Sequence, residues 1–142
     1  MSPVVRQRHR IVRVRTVQHN LAAAAASKAQ ADVRALEHSA DRLGALRGAL
    51  EIGTGTVNGA TLASMGELAM RLDSARGQLS QSISGARLLA ARREEVRVAR
   101  RRDQESADRL KIKAERAVEA LAERKRPASR GPRSRFTNDD ER

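Results

Sequence analysis

Apolar side chains recur along the first third of the chain at intervals that average three and a half residues: Val12, Ala22, Ala26, Ala29, Val33, Leu36, Ala40, Leu43 and Leu50. A seven-residue repeat with two apolar positions is the pattern of helices that pack along a narrow seam. Arg15, His19 and Arg47 fall on the same seam, while Val14, Val17 and Leu21 form a neighbouring stripe near its start, as a stutter in the heptads would produce. Pro3 suits a first helical turn, where its missing N–H is not needed, and Ala22 to Ala26 is a run of the best helix former. The pattern predicts a first helix over about residues 4–51.

The periodicity stops at Gly53-Thr54-Gly55-Thr56-Val57-Asn58-Gly59, where three glycines and an Asn-Gly pair favour a chain reversal over residues 52–60. It resumes as Met65, Leu68, Leu72, Ala75, Leu79, Ala86, Leu89, Val96, Ala107, Leu110, Ala114, Ala117 and Leu121, with a polar gap at Arg93, Arg100 and Asp103. Ser64-Met65-Gly66-Glu67 reads as a capping box, so the second helix is expected to start near Thr61 or at Ser64. Glu67 with Arg71 and Glu105 with Arg109 supply favourable pairs four residues apart. Pro127 ends the second helix by disfavouring helical geometry at the residue before it.

The predicted fold is all-α: a long antiparallel two-helix coiled-coil hairpin over residues 1–126, with unequal helices of about 4–51 and 61–126. Pro127 to Arg142, rich in Pro, Gly, Ser and charge, reads as a disordered basic and polar tail. The same pattern serves an intramolecular hairpin or an antiparallel dimer. At 1.5 Å per residue the helices measure about 70 Å and about 100 Å. Folding about the reversal is expected to bring Leu50 near Thr61 and Arg6 near Glu105, leaving residues beyond Arg109 to project alone. Gly44, Gly48, Gly66, Gly77 and Gly85 each cost roughly 1 kcal/mol relative to alanine inside a helix, which predicts a hairpin of marginal stability.

Composition narrows the chemistry. Among 142 residues there is one aromatic, Phe136, and no cysteine, which excludes disulfides and thiolate metal sites. The three histidines, His9, His19 and His38, lack the spacing of a helical metal pair, and Glu94-Glu95 is interleaved with arginine as a balanced helix face would be. Gly53, Gly55 and Gly59 are not followed by the Lys-Ser or Lys-Thr of a phosphate loop. No catalytic residue, metal or cofactor is expected. Met1 to Asn20 holds five arginines and no continuous apolar stretch, and no run approaches the roughly 20 apolar residues of a membrane span, so a soluble cytoplasmic protein is the expectation.

Charge changes the picture more. The formal net charge is +12, and it is unevenly spread: Arg6, Arg8, Arg10, Arg13 and Arg15 stand among the first 20 residues with no acid, the middle is neutral, and the excess returns from Arg87 onward. Such clusters attract nucleic acid through counterion release, but without aromatic platforms or a zipper beside a basic region, nucleic acid is not expected as the main partner. An acidic protein surface is.

A basic chain with an Arg- and Ala-rich first helix, a glycine-containing reversal and a longer second helix resembles the flagellar export protein FliJ family and the related secretion stalks. The resemblance covers residues 4–126 and is carried by Val12-Arg13-Val14-Arg15-Thr16-Val17-Gln18-His19-Asn20-Leu21-Ala22 and by Met65-Gly66-Glu67-Leu68-Ala69-Met70-Arg71-Leu72. It implies a non-enzymatic accessory stalk of the type III export apparatus, cytoplasmic and peripheral on the inner membrane at the flagellar base through its partners. Those implied partners are the export ATPase, the cytoplasmic domain of the export gate, and substrate chaperones. Carried onto this chain, the ATPase-facing residues are Arg6, Arg10, Arg13, Arg97, Arg100, Arg101, Arg102 and Arg109, and the gate-facing ones are Leu43, Leu46, Leu50, Met65 and Leu68. Many members place aromatics in the gate-facing region, where this sequence has none. The alternatives are a basic coiled-coil adaptor or chaperone of another system, and a nucleic-acid-binding helical protein.

Overall fold

The computed structural model describes residues 1–51 and 55–126. Two helices account for nearly all of them: α1, Pro3–Glu51, and α2, Gly59–Lys125, 49 and 67 residues long. They pack against each other along most of α1, as the all-α hairpin pattern requires. Gly53, within the expected reversal, and the tail over 127–142, expected to be disordered, lie outside the described residues.

The start of α2 differs from the expected capping box. Asn58 caps the helix, its side-chain oxygen accepting from the Ala60 N–H at 3.3 Å, and Gly59 begins the helix instead of belonging to the reversal. Ser64 lies inside the first turns and donates to the Ala60 carbonyl, while Glu67 reaches forward to Arg71 at 2.6 Å. The reason is local. Asparagine is among the best N-caps, and Ala60 to Ala63 contains nothing that resists a helix. The second expected intrahelical pair is replaced, because Glu105 binds Arg101 at 3.0 Å and not Arg109.

The seam of α1 follows its heptads without a stutter. Val5, Val12, His19, Ala26, Val33, Ala40 and Arg47 lie seven apart and all are buried or half-buried, so the inner face is continuous from the first turn. Val14, Val17 and Leu21 are more than half exposed and occupy the opposite side of the helix. On α2 one expected column holds: Met65, Leu72, Leu79, Ala86, Ala107 and Ala114 face the seam. The other column holds at Ala75 and is elsewhere displaced by one residue. Ala69, Ile83, Ala90, Arg97, Gln104 and Lys111 turn inward, while Leu68, Leu89, Val96 and Leu110 stay exposed, as does Leu121 at the end of the first column.

Close approach explains that displacement. The buried side chains are Val5, Ala26, Ala29, Ala90 and Ala107, four of them alanine. Methyl groups let the backbones come together, and a larger side chain is then pushed to the flank, as Leu89 is beside Ala25 and Ala29. The burial is thin. Among the described residues no large side chain is completely enclosed, so little apolar area opposes the conformational entropy of ordering two long helices.

Polar contacts across the helices set the register: His9 to Glu115 at 2.8 Å, Arg15 to Asp103 at 3.3 Å, Glu37 to Arg87 at 2.6 Å, and Arg47 to Asp73 at 3.2 Å. The expected pairing of Arg6 with Glu105 is therefore wrong by about ten residues, since Glu105 lies two residues beyond the partner of Arg15. The segment past Arg109 does not project alone, because Glu115 is held by His9. Instead α2 starts 14 residues before Asp73 while α1 ends four residues after Arg47, an overhang of roughly 15 Å at the reversal end. Leu50 accordingly faces the Leu72 region and not Thr61. Symmetric folding fails because α2 is already helical before it comes alongside α1.

Two outcomes test this arrangement. A short bis-maleimide should cross-link the His9→Cys/Glu115→Cys pair efficiently and the Arg6→Cys/Glu105→Cys pair poorly; the reverse order would contradict the register. Gly77 and Gly85 have open space where a Cβ would stand, so Gly77→Ala and Gly85→Ala should each stabilise the hairpin by about 1 kcal/mol in urea unfolding followed by circular dichroism.

Candidate functional site

The helices sort charge by position along the rod. Ala29 and Ala90, both buried, mark a crossing level that divides it into a terminal half and a reversal half. Residues 30–89 carry six basic groups (Arg34, Arg42, Arg47, Arg71, Arg76, Arg87) and six acidic ones (Asp32, Glu37, Asp41, Glu51, Glu67, Asp73). Residues 1–29 and 90–126, brought together by the fold, hold 19 basic and 8 acidic groups. One half of the rod is neutral and the other carries the whole excess.

The expected ATPase-facing arginines all fall in the terminal half, but in two groups. Arg6, Arg10 and Arg13 lie on α1 near its start, exposed and without an ion-pair partner among the described residues. Across the seam, level with them, stands Arg109, with Lys111, Lys113 and Arg116, which lie within the expected ATPase-facing span of residues 97–126 but are not singled out by the sequence. Linear clustering favours adjacent arginines, and these last three are spread through a balanced stretch whose acids only the fold assigns. Arg97, Arg100, Arg101 and Arg102 form the second group, farther along the rod beside Arg15.

Most of this second group is engaged. Arg97 makes two hydrogen bonds to Glu94, at 2.8 and 2.6 Å, Arg100 lies 3.6 Å from Asp103, and Arg101 binds Glu105. The hydrogen bonds from Arg97 hold the Glu94 carboxyl below the ordinary carboxylate range; partial desolvation opposes this and charge attraction adds to it. A depressed carboxyl contributes above its unfolded pKa and stops contributing as pH falls through the lowered value, so this pair stays formed throughout the neutral range. Arg102 is exposed and has no ion-pair partner among the described residues.

The polar gap in the second seam becomes a polar layer. Arg15 bridges Gln18 and Asp103, and the Gln104 amide donates to the Thr16 hydroxyl at 3.2 Å. His19 sits on the inner face within this layer, and its Nδ1 is buried with no hydrogen-bond partner. The helices thus remain packed where apolar residues run out.

The expected gate-facing residues divide by orientation. Leu43, Leu50 and Met65 face the seam and are half-buried, whereas Leu46 and Leu68 are exposed. Leu62 and Met70, which the heptad reading passed over, are exposed on the overhanging start of α2 and on the turn where it meets α1. Among the described residues no helix is long and apolar enough to cross a membrane, and no group of three His, Cys, Asp or Glu side chains could hold a metal ion.

Compared with known proteins, the chain matches no family model, no curated protein and no solved structure.

The unpartnered His19 nitrogen gives this layer a measurable cost. His19→Leu removes a buried polar atom from a seam position and should stabilise the hairpin by about 1 kcal/mol in urea unfolding, while an unchanged or lowered midpoint would show that the histidine is satisfied in solution.

Proposed function

We propose that the protein is a non-enzymatic docking rod whose basic terminal half is gripped by an acidic protein surface. In its specific form it is an accessory stalk of the flagellar type III export apparatus, cytoplasmic and peripheral on the inner membrane through its partners. It docks to the export ATPase ring and the export gate and aids the handling of substrate chaperones. The observation that carries the reading is the segregation of charge: the excess of basic groups lies in one half of the rod, and the other half is balanced.

Physical reasons favour such a use. Like charges held on two adjacent helices repel, and a thin alanine seam offers little to offset that repulsion, so neutralisation by a partner lowers the free energy of the assembly. Long-range attraction also speeds encounter, which makes binding fast and salt-sensitive. Free arginines at the end of the rod supply the attraction, and two mutually supporting helices supply stiffness. The assignment to the export machine rests on the resemblance in residue pattern, and the gate contact falls to Leu46 and Leu68, the two exposed leucines of the five named.

Co-purification with a flagellar export ATPase tests the specific form, and charge reversal tests the end that docks. Arg10→Glu with Arg13→Glu should weaken association at least tenfold, as should reversal at Arg100, Arg101 and Arg102. The same charge change at Arg34 and Arg42, exposed in the neutral half, should leave association near wild type. Equal loss in both halves would remove the assigned end, and micromolar binding of duplex DNA near physiological salt would favour a nucleic-acid reading instead.

A further inference from the structure

The first half of α1 is apolar on two sides. Its inner side enters the hairpin. On its outer side Val4, Ile11, Val14 and Leu21, with Gln7 and Gln18 between them, occupy successive steps of three and four residues, a second heptad series on the face turned away from α2. Val4 is 52% exposed, Val14 56% and Leu21 66%, and Val17 borders the stripe at 53%. Isolated exposed apolar residues are ordinary, but a series kept in register over two and a half heptads, about 26 Å, is not.

We propose that this outer stripe is the seat of a third helix, an amphipathic segment of another protein that carries acidic residues beside its apolar seam. The inference rests on the reading of the terminal half as the end gripped by an acidic protein, and it names the form of that protein's contact.

The spacing selects a helix. Apolar residues kept at a seven-residue repeat follow a partner around a supercoil, whereas on a straight helix the same repeat drifts by about 20° per heptad. Relabelled for the outer series, Val4 and Ile11 take the first apolar position of successive heptads, and Val14 and Leu21 the second, with Gln18 a polar seam residue of the kind that fixes register. The stripe holds one leucine, Leu21, and no Trp or Phe, whereas the apolar face of an interfacial membrane helix is typically rich in all three.

Charge selects the partner's flanks. Arg8 and Arg15 border the stripe on one side and Arg10 on the other, the positions that face a partner's flanking residues in a coil. The first acidic residue of the chain is Asp32, beyond the stripe, so nothing on α1 itself balances them; across the seam Arg15 is met by Asp103, which leaves Arg8 and Arg10 without an ion-pair partner among the described residues. A second copy would bring the same arginines and the same basic half, which like-charge repulsion disfavours. Glutamate or aspartate at the flanks of an incoming helix meets them with opposite charge, and the groove between Arg10, Ile11, Val14, Arg15 and Gln18 offers a place for one of its apolar side chains.

Fluorescence anisotropy of labelled synthetic probes against the full chain tests the inference. The first probe is a four-heptad peptide with Leu and Ile in its seam and Glu at its flanks; the second has Lys at the flanks; the third is polyglutamate of equal length. Vesicles of phosphatidylserine and phosphatidylcholine form a fourth arm. Val14→Ser with Leu21→Ser removes the stripe at exposed positions, and Leu88→Ser, 55% exposed on α2, is the control. Circular dichroism melting verifies that each variant keeps the wild-type hairpin.

The expected result is that the Glu-flanked peptide binds wild type and the Leu88→Ser variant alike, at least tenfold better than the Lys-flanked one, and at least tenfold more weakly to the stripe variant. Binding undiminished in the stripe variant, or matched by polyglutamate, overturns the third helix while leaving an acidic partner standing. Absence of binding to every acidic probe overturns both readings. Vesicle binding lost in the stripe variant, without a response to the Glu-flanked peptide, assigns the face to a membrane surface. A wild-type dimer that the stripe variant abolishes assigns it to a second copy, and either result overturns the proposal.

Discussion

A seam built of alanines holds two helices together without telling them where to stop sliding. Ala26, Ala29, Ala90 and Ala107 bury methyl groups of nearly the same size, so neighbouring registers bury similar apolar area. Polar crossings break that degeneracy. With Arg15 at Asp103, Glu37 at Arg87 and Arg47 at Asp73, a slip of one heptad would face Arg15 with Val96 or Leu110, Glu37 with Ser80 or Glu94, and Arg47 with Gly66 or Ser80. Each exposed pair is worth at most about 1 kcal/mol, but several acting together against a nearly level background decide the register.

The distribution of charge along the rod follows from that register. It levels Arg6, Arg10 and Arg13 with Arg109, Lys111, Lys113 and Arg116, and so assembles one strongly basic end from two segments a hundred residues apart in order of magnitude. It also levels the neutral stretches with each other. Had the helices met about ten residues earlier, as symmetric folding implies, α2 would extend alone past the termini, and the reversal end would lack its roughly 15 Å overhang. That overhang leaves Leu62 exposed and Met65 only half-covered, so the two ends of the rod differ in chemistry: one basic, the other neutral with apolar side chains.

Stability and use are connected through the polar layer. Arg15, Thr16, Asp103 and Gln104 interrupt the apolar seam, and His19 leaves a nitrogen unpaired inside it. A polar residue at a seam position costs stability and narrows the choice of pairing. The basic half therefore holds all five buried side chains, but also the polar interruption of the seam and the stronger internal repulsion. Charge from outside can act on both.

The sequence by itself determined two long helices, their heptad faces, the break between them and the uneven placement of charge along the chain. Intervals of three and four residues, Pro3 at one boundary and the absence of aromatics are local facts, and local geometry suffices to read them. It also marked Val14, Val17 and Leu21 as a stripe apart from the main seam. Only the tertiary structure decided which of two adjacent columns on α2 turns inward, because Leu89 and Ala90 both satisfy a helical repeat and the choice depends on how near α1 approaches. Register, too, was decided there. Asn58 could be recognised as a cap from its neighbours, but the partner of Arg15 or of His9 depends on residues some ninety to a hundred positions away, and only the summed fit of two whole faces selects it.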